Sequence, residues 1–168
     1  MDHTHVDDDR LIELSATRCW ELVASQPVGR LAWNGAKGPT VIPVNFTVVG
    51  STLQLRTAAW SVLARECDDS PVSFEVDHLD PRSRTGWSVL LRGWAHLDYA
   101  GSGSEGRSDA GQDVDVWAGG ARELGVVIEV DDATGRQIGL PGWEVRHRLW
   151  WEVLEVEVRQ SGPELFLQ

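Results

Sequence analysis

The sequence predicts a mainly β protein, an antiparallel barrel with a few short helices. Several strand-like segments follow one another with short turn signals between them. Only one segment shows clear helical spacing, so the strand–helix alternation that a parallel sheet requires is missing. At 168 residues the chain is most simply one domain, residues 1–168.

The first predicted element is a helix over residues 16–25. Ser15 has the side chain of an N-cap, and the pair Gln26-Pro27 ends the helix. Apolar residues recur between them at helical spacing: Ala16, Cys19, Trp20, Val23 and Ala24. One face of this helix is therefore expected to pack on the barrel.

Strand signals dominate the next fifty residues. GRLAW leads to Asn34-Gly35, a pair typical of hairpin turns. TVIPVNFTVV is long and β-branched, and Pro43 within it indicates an edge or a bulge because proline cannot donate to a strand ladder. STLQLRT alternates apolar and polar residues, and SVLAREC after it predicts a short helix with Ser61 as its N-cap.

The second half predicts further strands around a loop. PVSFEVD and GWSVLLRGWAHLD are strand-like, and we expect residues 11–98 to join strands near 126–130 and 150–159 in one barrel. Residues 100–112 are rich in glycine and serine and predict a flexible surface loop. DVWAGGAREL predicts a short helix, weakened by two glycines.

Composition excludes several classes of protein. The formal net charge of -11 opposes non-specific nucleic-acid binding, which needs clustered cations. No apolar run is long enough to span a bilayer and the N-terminus is acidic, so we expect a soluble cytoplasmic protein. Cys19, Cys67 and the five histidines lack ligand spacing, so no metal site is expected.

A candidate anion site lies where one strand runs into the second helix. Arg56 and Thr57 end the strand, and Ser61 follows at the helix start. A guanidinium fork, hydroxyl groups and unpaired helix N–H groups are the donors that bind phosphate. The alternative interpretation is a surface arginine beside an ordinary helix cap.

Four pieces of the chain occur together: VGRLA, PVNF, LRTA with the serine and leucine that follow it, and GWSVLLRG. Together they resemble the pyridoxamine 5'-phosphate oxidase-like family of FMN-binding split β-barrels. The resemblance covers roughly residues 14–98 and becomes loose afterwards, around VIEVDDATGRQI. It implies a six-stranded antiparallel barrel that forms a homodimer, with two FMN sites at the subunit interface.

The resemblance also implies which residues bind the cofactor. These are Pro43, Val44 and Asn45 beside the isoalloxazine ring, Arg56, Thr57 and Ser61 at the phosphate, and Trp87 and Ser88 from a neighbouring strand or the partner chain. A bulge at Pro43 would free backbone groups for the polar edge of the ring.

One position departs from the family pattern. Val62 stands where family members commonly carry Lys or Arg, a second cation on the phosphate. Losing one charge-assisted contact costs about 1.5–3 kcal/mol, so the departure implies weak FMN binding. Arg65, one helical turn past Ser61, is a candidate replacement or a solvated surface charge.

The resemblance implies an FMN-dependent oxidoreductase acting on a small molecule. The sequence shows no catalytic acid–base pair, which agrees with chemistry carried by a cofactor, and it identifies neither the substrate nor catalytic residues. The alternative that Val62 favours is a non-catalytic flavin-binding or cofactor-free barrel, acting as carrier, sensor or accessory protein. A further alternative is a deazaflavin-dependent reductase, whose longer basic groove fits poorly with the acidic composition.

We predict that the protein is a homodimer. Nine tryptophans in a small barrel would leave a monomer with more apolar surface than water tolerates. Light scattering at micromolar concentration should give the mass of two chains, and the mass of one chain would contradict the prediction.

Overall fold

The computed structural model describes residues 11–98 and 114–139. The elements in chain order are β1 (Leu11–Leu14), α1 (Ala16–Ala24), β2 (Val28–Gly35), β3 (Gly38–Val49), β4 (Thr52–Thr57), α2 (Val62–Glu66), β5 (Ser70–Asp80), β6 (Thr85–Asp98) and β7 (Leu124–Ile138). All of them lie in one compact unit, Met1–Ile138. The expectation of a single domain over residues 1–168 stays a prediction.

The strands form one antiparallel sheet that closes on itself. Their order is β1-β7-β4-β3-β2-β5-β6, and β6 also pairs with β7. Strands β2 to β7 therefore make a closed ring of six, and β1 is added beside β7. The predicted antiparallel barrel is confirmed, and the strand predicted near 126–130 is part of β7.

Several strands of the barrel pair with a given neighbour over only part of their length. Residues Leu124–Glu129 pair with β4, whereas Gly135–Ile138 pair with β1. Strand β3 pairs with β4 only over Phe46–Val49, although it pairs with β2 from Gly38 to Asn45. One edge of β3 is thus left without a strand partner before Phe46, which is the split that the resemblance implied.

Both helices begin at the predicted caps. Ser15 Oγ accepts the N–H of Arg18 at 3.3 Å, and Ser61 Oγ accepts the N–H of Ala64 at 3.0 Å. Helix α1 ends one residue earlier than predicted and buries Cys19, Leu22 and Val23. Neither helix of the described ranges is long and apolar enough to cross a membrane.

The predicted hairpin turn is wrong, and of the two alternatives predicted for Pro43 the structure has the edge and not the bulge. Asn34 and Gly35 continue the β2–β3 ladder, opposite Pro39 and Gly38, so the hairpin turn is Ala36-Lys37 and not Asn34-Gly35. Pro43 pairs with Arg30 in regular register, so it lies at an open edge without a bulge. A register shift lies instead between Arg92 and Gly93 on β6.

The helix predicted from DVWAGGAREL is also wrong. Residues 114–123 are irregular, and Gly120 has a φ of +95°, a backbone conformation that an α-helix cannot include. The predicted loop at 100–112 and strand near 150–159 lie outside the described residues.

The two cysteines lie in the interior of the barrel unit. Cys19 and Cys67 are both free and fully buried. Burial, followed by the nearby Glu66 carboxylate, raises the pKa of the Cys67 thiol to about 11. A thiol that stays protonated and buried is a poor nucleophile, so its role is packing.

A matched pair of glycine substitutions tests the closure of the barrel. A Cβ at Gly93 would overlap the carbonyl oxygen of Glu129 on β7, a backbone atom that cannot turn aside. We expect Gly93→Ala to lower the free energy of unfolding by about 1–3 kcal/mol, the usual cost of overpacking. Urea denaturation measures it.

The control for this experiment is Gly119→Ala. A Cβ at Gly119 meets nothing within 4 Å, so this variant should keep or slightly raise stability by restricting the unfolded chain. Equal stabilities of the two variants would contradict the close β6–β7 approach at Gly93.

Candidate functional site

The candidate site lies where strands β3 and β4 part. Phe46 and Leu55 form the last pair between them. At the next position of each strand, Asn45 continues beside Val28 of β2 and Arg56 continues beside Gly125 of β7. We call this opening the strand split and define it by Asn45, Arg56, Thr57 and Ser61.

Two hydroxyl groups meet at the end of β4. Thr57 is only 3% exposed, and its Oγ1 donates to Ser61 Oγ at 2.9 Å. The Ser61 oxygen also accepts the N–H of Ala64, so it already accepts two hydrogen bonds. The hydroxyl proton of Ser61 is therefore left for an acceptor outside this pair.

Arg56 is fixed by the backbone of a distant segment. Its Nε donates to the carbonyl of Arg122 and its Nη2 to that of Glu123, both at 2.9 Å. Nη1 has no acceptor among the described residues. The guanidinium is therefore oriented in advance, with two of its three nitrogens engaged.

Asn45 is held in the same way from the other side of the split. Its Nδ2 donates to the carbonyl of Pro27 at 3.2 Å, and its Oδ1 accepts the backbone N–H of Trp117 at 3.0 Å. Residues 114–123, which we call the bordering segment, are thus tied to Asn45 and to Arg56. Sequence reasoning missed this segment because its only local signal was read as a helix.

Three exposed apolar side chains surround the split. Trp60 and Val62 flank Ser61 and are 74% and 47% exposed. Trp117, on the bordering segment, is 65% exposed. Arg65 donates from Nη1 to the carbonyl of Trp60 at 3.0 Å, so this charge lies beside the Trp60 backbone.

The other residues named from the sequence fall into two groups. Pro43 and Val44 lie on the open edge of β3 directly before Asn45, so the structure brings them to the split. Trp87 is 4% exposed, and Ser88 lines a groove of about 500 Å³ with Arg92 and Arg136. Neither of these two residues belongs to the strand split.

The register of β6 shows how far Trp87 and Ser88 lie from Arg56. Gly125 of β7 pairs with Arg56 on one side and with Asp98 of β6 on the other. Ser88 precedes Asp98 by ten residues on the same strand, which is roughly 33 Å of extended chain. Ser88 is therefore far from Arg56 along β6, but it pairs with Asp77 of β5, two residues beyond the Glu75 that pairs with Arg30 of β2. Across these ladders Ser88 lies three strands, roughly 14 Å, from Asn45.

The donor set at the split suits a phosphate group of low charge. It offers one guanidinium with three N–H groups left, two on Nη1 and one on Nη2, and one hydroxyl proton. Helix α2 is too short, at five residues, to add a large dipole. The unpaired edge of β3 offers backbone groups and an apolar surface to a planar ring. Among the described residues, no group of three His, Cys, Asp or Glu could hold a metal ion.

A known protein family and a curated protein are similar to this chain. Residues 15–136 match the family model described as pyridoxamine 5'-phosphate oxidase. An uncharacterised protein of Mycobacterium tuberculosis is 40% identical over 90 residues, which cover 51% of this chain and 59% of that protein. The match therefore spans less than two thirds of the curated relative's length.

Two solved structures are similar over most of this chain. A FAD binding protein from Mycobacterium smegmatis is 27% identical, with a TM-score of 0.59, covering 77% of this chain and 99% of that one. A conserved protein of unknown function from Corynebacterium diphtheriae is 25% identical, with a TM-score of 0.61, covering 78% and 100%.

The contact between Asn45 and the bordering segment is testable by amide exchange. Asn45→Ala removes the acceptor of the Trp117 N–H. A net hydrogen bond is worth about 0.5–1.5 kcal/mol, so exchange at Trp117 should accelerate by about two- to tenfold. Asn34→Ala, an exposed site at the far end of β2, is the control and should leave this amide unchanged. Unchanged exchange in Asn45→Ala would show that the segment is held by other contacts.

Proposed function

The chain belongs to the pyridoxamine 5'-phosphate oxidase family, and from that premise we propose that it is a flavin-dependent oxidoreductase acting on a small molecule. The observation that carries the proposal is the convergence of Asn45, Arg56, Thr57 and Ser61 at the strand split. The likeness to a FAD binding protein supports a flavin as the cofactor. We place the flavin mononucleotide unit, which FMN and FAD share, at this split.

The phosphate end of that unit is assigned to β4 and the start of α2. Ser61 donates its free hydroxyl proton to a phosphate oxygen, and Arg56 adds a charge-assisted bond from Nη1. Thr57 is a positioning residue, since its bond to the Ser61 oxygen directs the Ser61 proton outward. Arg56 is the one formal charge among the four residues that define the split.

The ring end is assigned to the open edge of β3. Backbone groups of Pro43, Val44 and Asn45 that face away from β2 have no strand partner there. They are free to bond the polar edge of a planar ring, whose faces meet apolar surface. A bound flavin supplies the hydride or electron chemistry, while the chain binds it, orients it and restricts water.

We also propose that the functional unit is a cytoplasmic homodimer. Ser88 lies ten residues along β6 from the position level with Arg56, and in this proposal a second copy supplies Trp87 and Ser88 to the phosphate end of the cofactor. Exposed apolar residues such as Val49 and Leu79 offer surface for a partner to cover. The free cysteines suit a reducing compartment.

A second candidate is a barrel without redox activity, acting as a carrier or accessory protein. It is favoured by Val62, which places no charge beside Ser61, and by the engagement of Arg56 with two carbonyls. Titration with flavin separates the oxidoreductase from the cofactor-free form of this barrel, which binds neither FMN nor FAD.

Arg56→Ala tests the phosphate assignment. Because Arg56 has no cationic neighbour at Val62, its loss should weaken FMN binding by about 30- to 150-fold, the upper range for a bond to a charged group. Quenching of flavin fluorescence measures the affinity. Thermal unfolding of the same variant reports the separate effect of losing the bonds to Arg122 and Glu123.

The matched control is Arg82→Ala, which removes an exposed arginine in the β5–β6 turn. It should bind FMN as the wild type does. Equal FMN affinity in wild type and Arg56→Ala would contradict the assignment, and a wild type that binds no flavin would favour the accessory barrel.

A further inference from the structure

The residues on either side of Ser61 are unusual for a phosphate site. Trp60 and Val62 are both apolar, and the Trp60 indole is three-quarters exposed. Tryptophan is highly buried on average, because its large apolar surface is costly to leave in water. An exposed indole next to a proposed phosphate position is the kind of surface on which a nucleobase stacks.

The backbone that carries Trp60 is rigid. Ser61 N–H donates to the carbonyl of Ala58 at 3.0 Å, which closes a tight turn. Arg65 donates to the carbonyl of Trp60, and Thr57 donates to Ser61. A platform that is already ordered loses little conformational entropy when a ring stacks on it.

The charge at the split also bears on which kind of phosphate it fits. The phosphate of FMN is a monoester and carries about −1.5 to −2 charges at pH 7. Each phosphate of the pyrophosphate in FAD carries a single negative charge. The split offers one guanidinium that already bonds two carbonyls and no cation at position 62, in a chain of net charge -11. These donors match the singly charged phosphate better.

We infer that this protein binds FAD in preference to FMN, and that Trp60 is the residue on which the adenine ring stacks. The inference rests on the proposed function, since it extends the same site beyond the first phosphate. Val62 adds apolar contact beside the adenosine. The Arg65 guanidinium, held against the Trp60 carbonyl, supplies the positive charge for the second phosphate.

Isothermal titration of the flavin-free full-length protein with FAD and with FMN tests this inference. Stacking of a base on an aromatic side chain is worth about five- to 150-fold in affinity. The wild type should therefore prefer FAD over FMN by a factor in this range. Trp60→Ala should lose that preference by weakening FAD while FMN binding stays unchanged, and Trp60→Phe should recover part of it.

Two further variants serve as controls. Trp94→Ala removes a partly exposed indole that bonds Asp69 on another part of the barrel, and it should change neither affinity. Val62→Lys restores a cation beside Ser61. It should strengthen FMN more than FAD, because the monoester carries more charge, and so narrow the FAD preference.

The outcomes separate this inference from the proposed function. If the wild type binds FMN as tightly as FAD, or if Trp60→Ala weakens both equally, the inference is overturned and the flavin site stands. If Trp60→Ala dissociates the oligomer and leaves the FAD preference intact, Trp60 is an interface residue and the inference is likewise overturned. If neither flavin binds, both proposals fail.

Discussion

Strand β7 pairs with three other strands, and this constraint determines how the barrel is arranged. Strand β7 pairs with β6 on one side, but its other side must serve β4 over Leu124–Glu129 and β1 over Gly135–Ile138. Strand β4 pairs with β7 up to Thr57 on one edge, but with β3 only up to Leu55 on the other. Within the described residues the two strands part at this position, and a strand edge without a partner lies beside the end of β4. Backbone groups at such an edge need partners, and a ligand can supply them.

The opening is kept rigid by side chains that bond backbone on its far side. Asn45 and Arg56 stand on the two parting strands, and each holds one end of the bordering segment. Arg56 therefore has a structural role as well as the proposed binding role. Its guanidinium is oriented before any anion arrives, which lowers the entropy cost of binding, but two of its donors are no longer available. Fixing the Arg56 guanidinium therefore reduces the number of its N–H groups that can bind an anion.

Sequence reasoning succeeded where the determining interactions are local. The caps at Ser15 and Ser61 depend on residues three positions away. Thr57 and Ser61, four positions apart, are hydrogen-bonded to each other, and the assignment of Arg56, Thr57 and Ser61 to a phosphate stays a prediction. Sequence reasoning failed where contacts between residues far apart in the chain determine the local structure. The bordering segment is irregular because its backbone bonds Arg56 and Asn45, 66 to 72 residues away. The hairpin turn moved to Ala36-Lys37 because the ladder between β2 and β3 continues through Asn34 and Gly35. Pro43 needed no bulge, since the edge it faces was already open.

An acidic chain can bind a phosphate ligand because its net charge and the contacts within the site act over different distances. At physiological ionic strength charges are screened over about 8 Å, so most of the net charge of -11 acts on the approach of an anion and little on the bound state. Binding itself depends on groups in contact, here the Ser61 hydroxyl, the remaining nitrogen of Arg56 and the apolar surface around them. Apolar stacking is not weakened by charge repulsion. A site with few cations in an acidic chain therefore gains most from a ligand that adds ring surface without adding charge at the first phosphate.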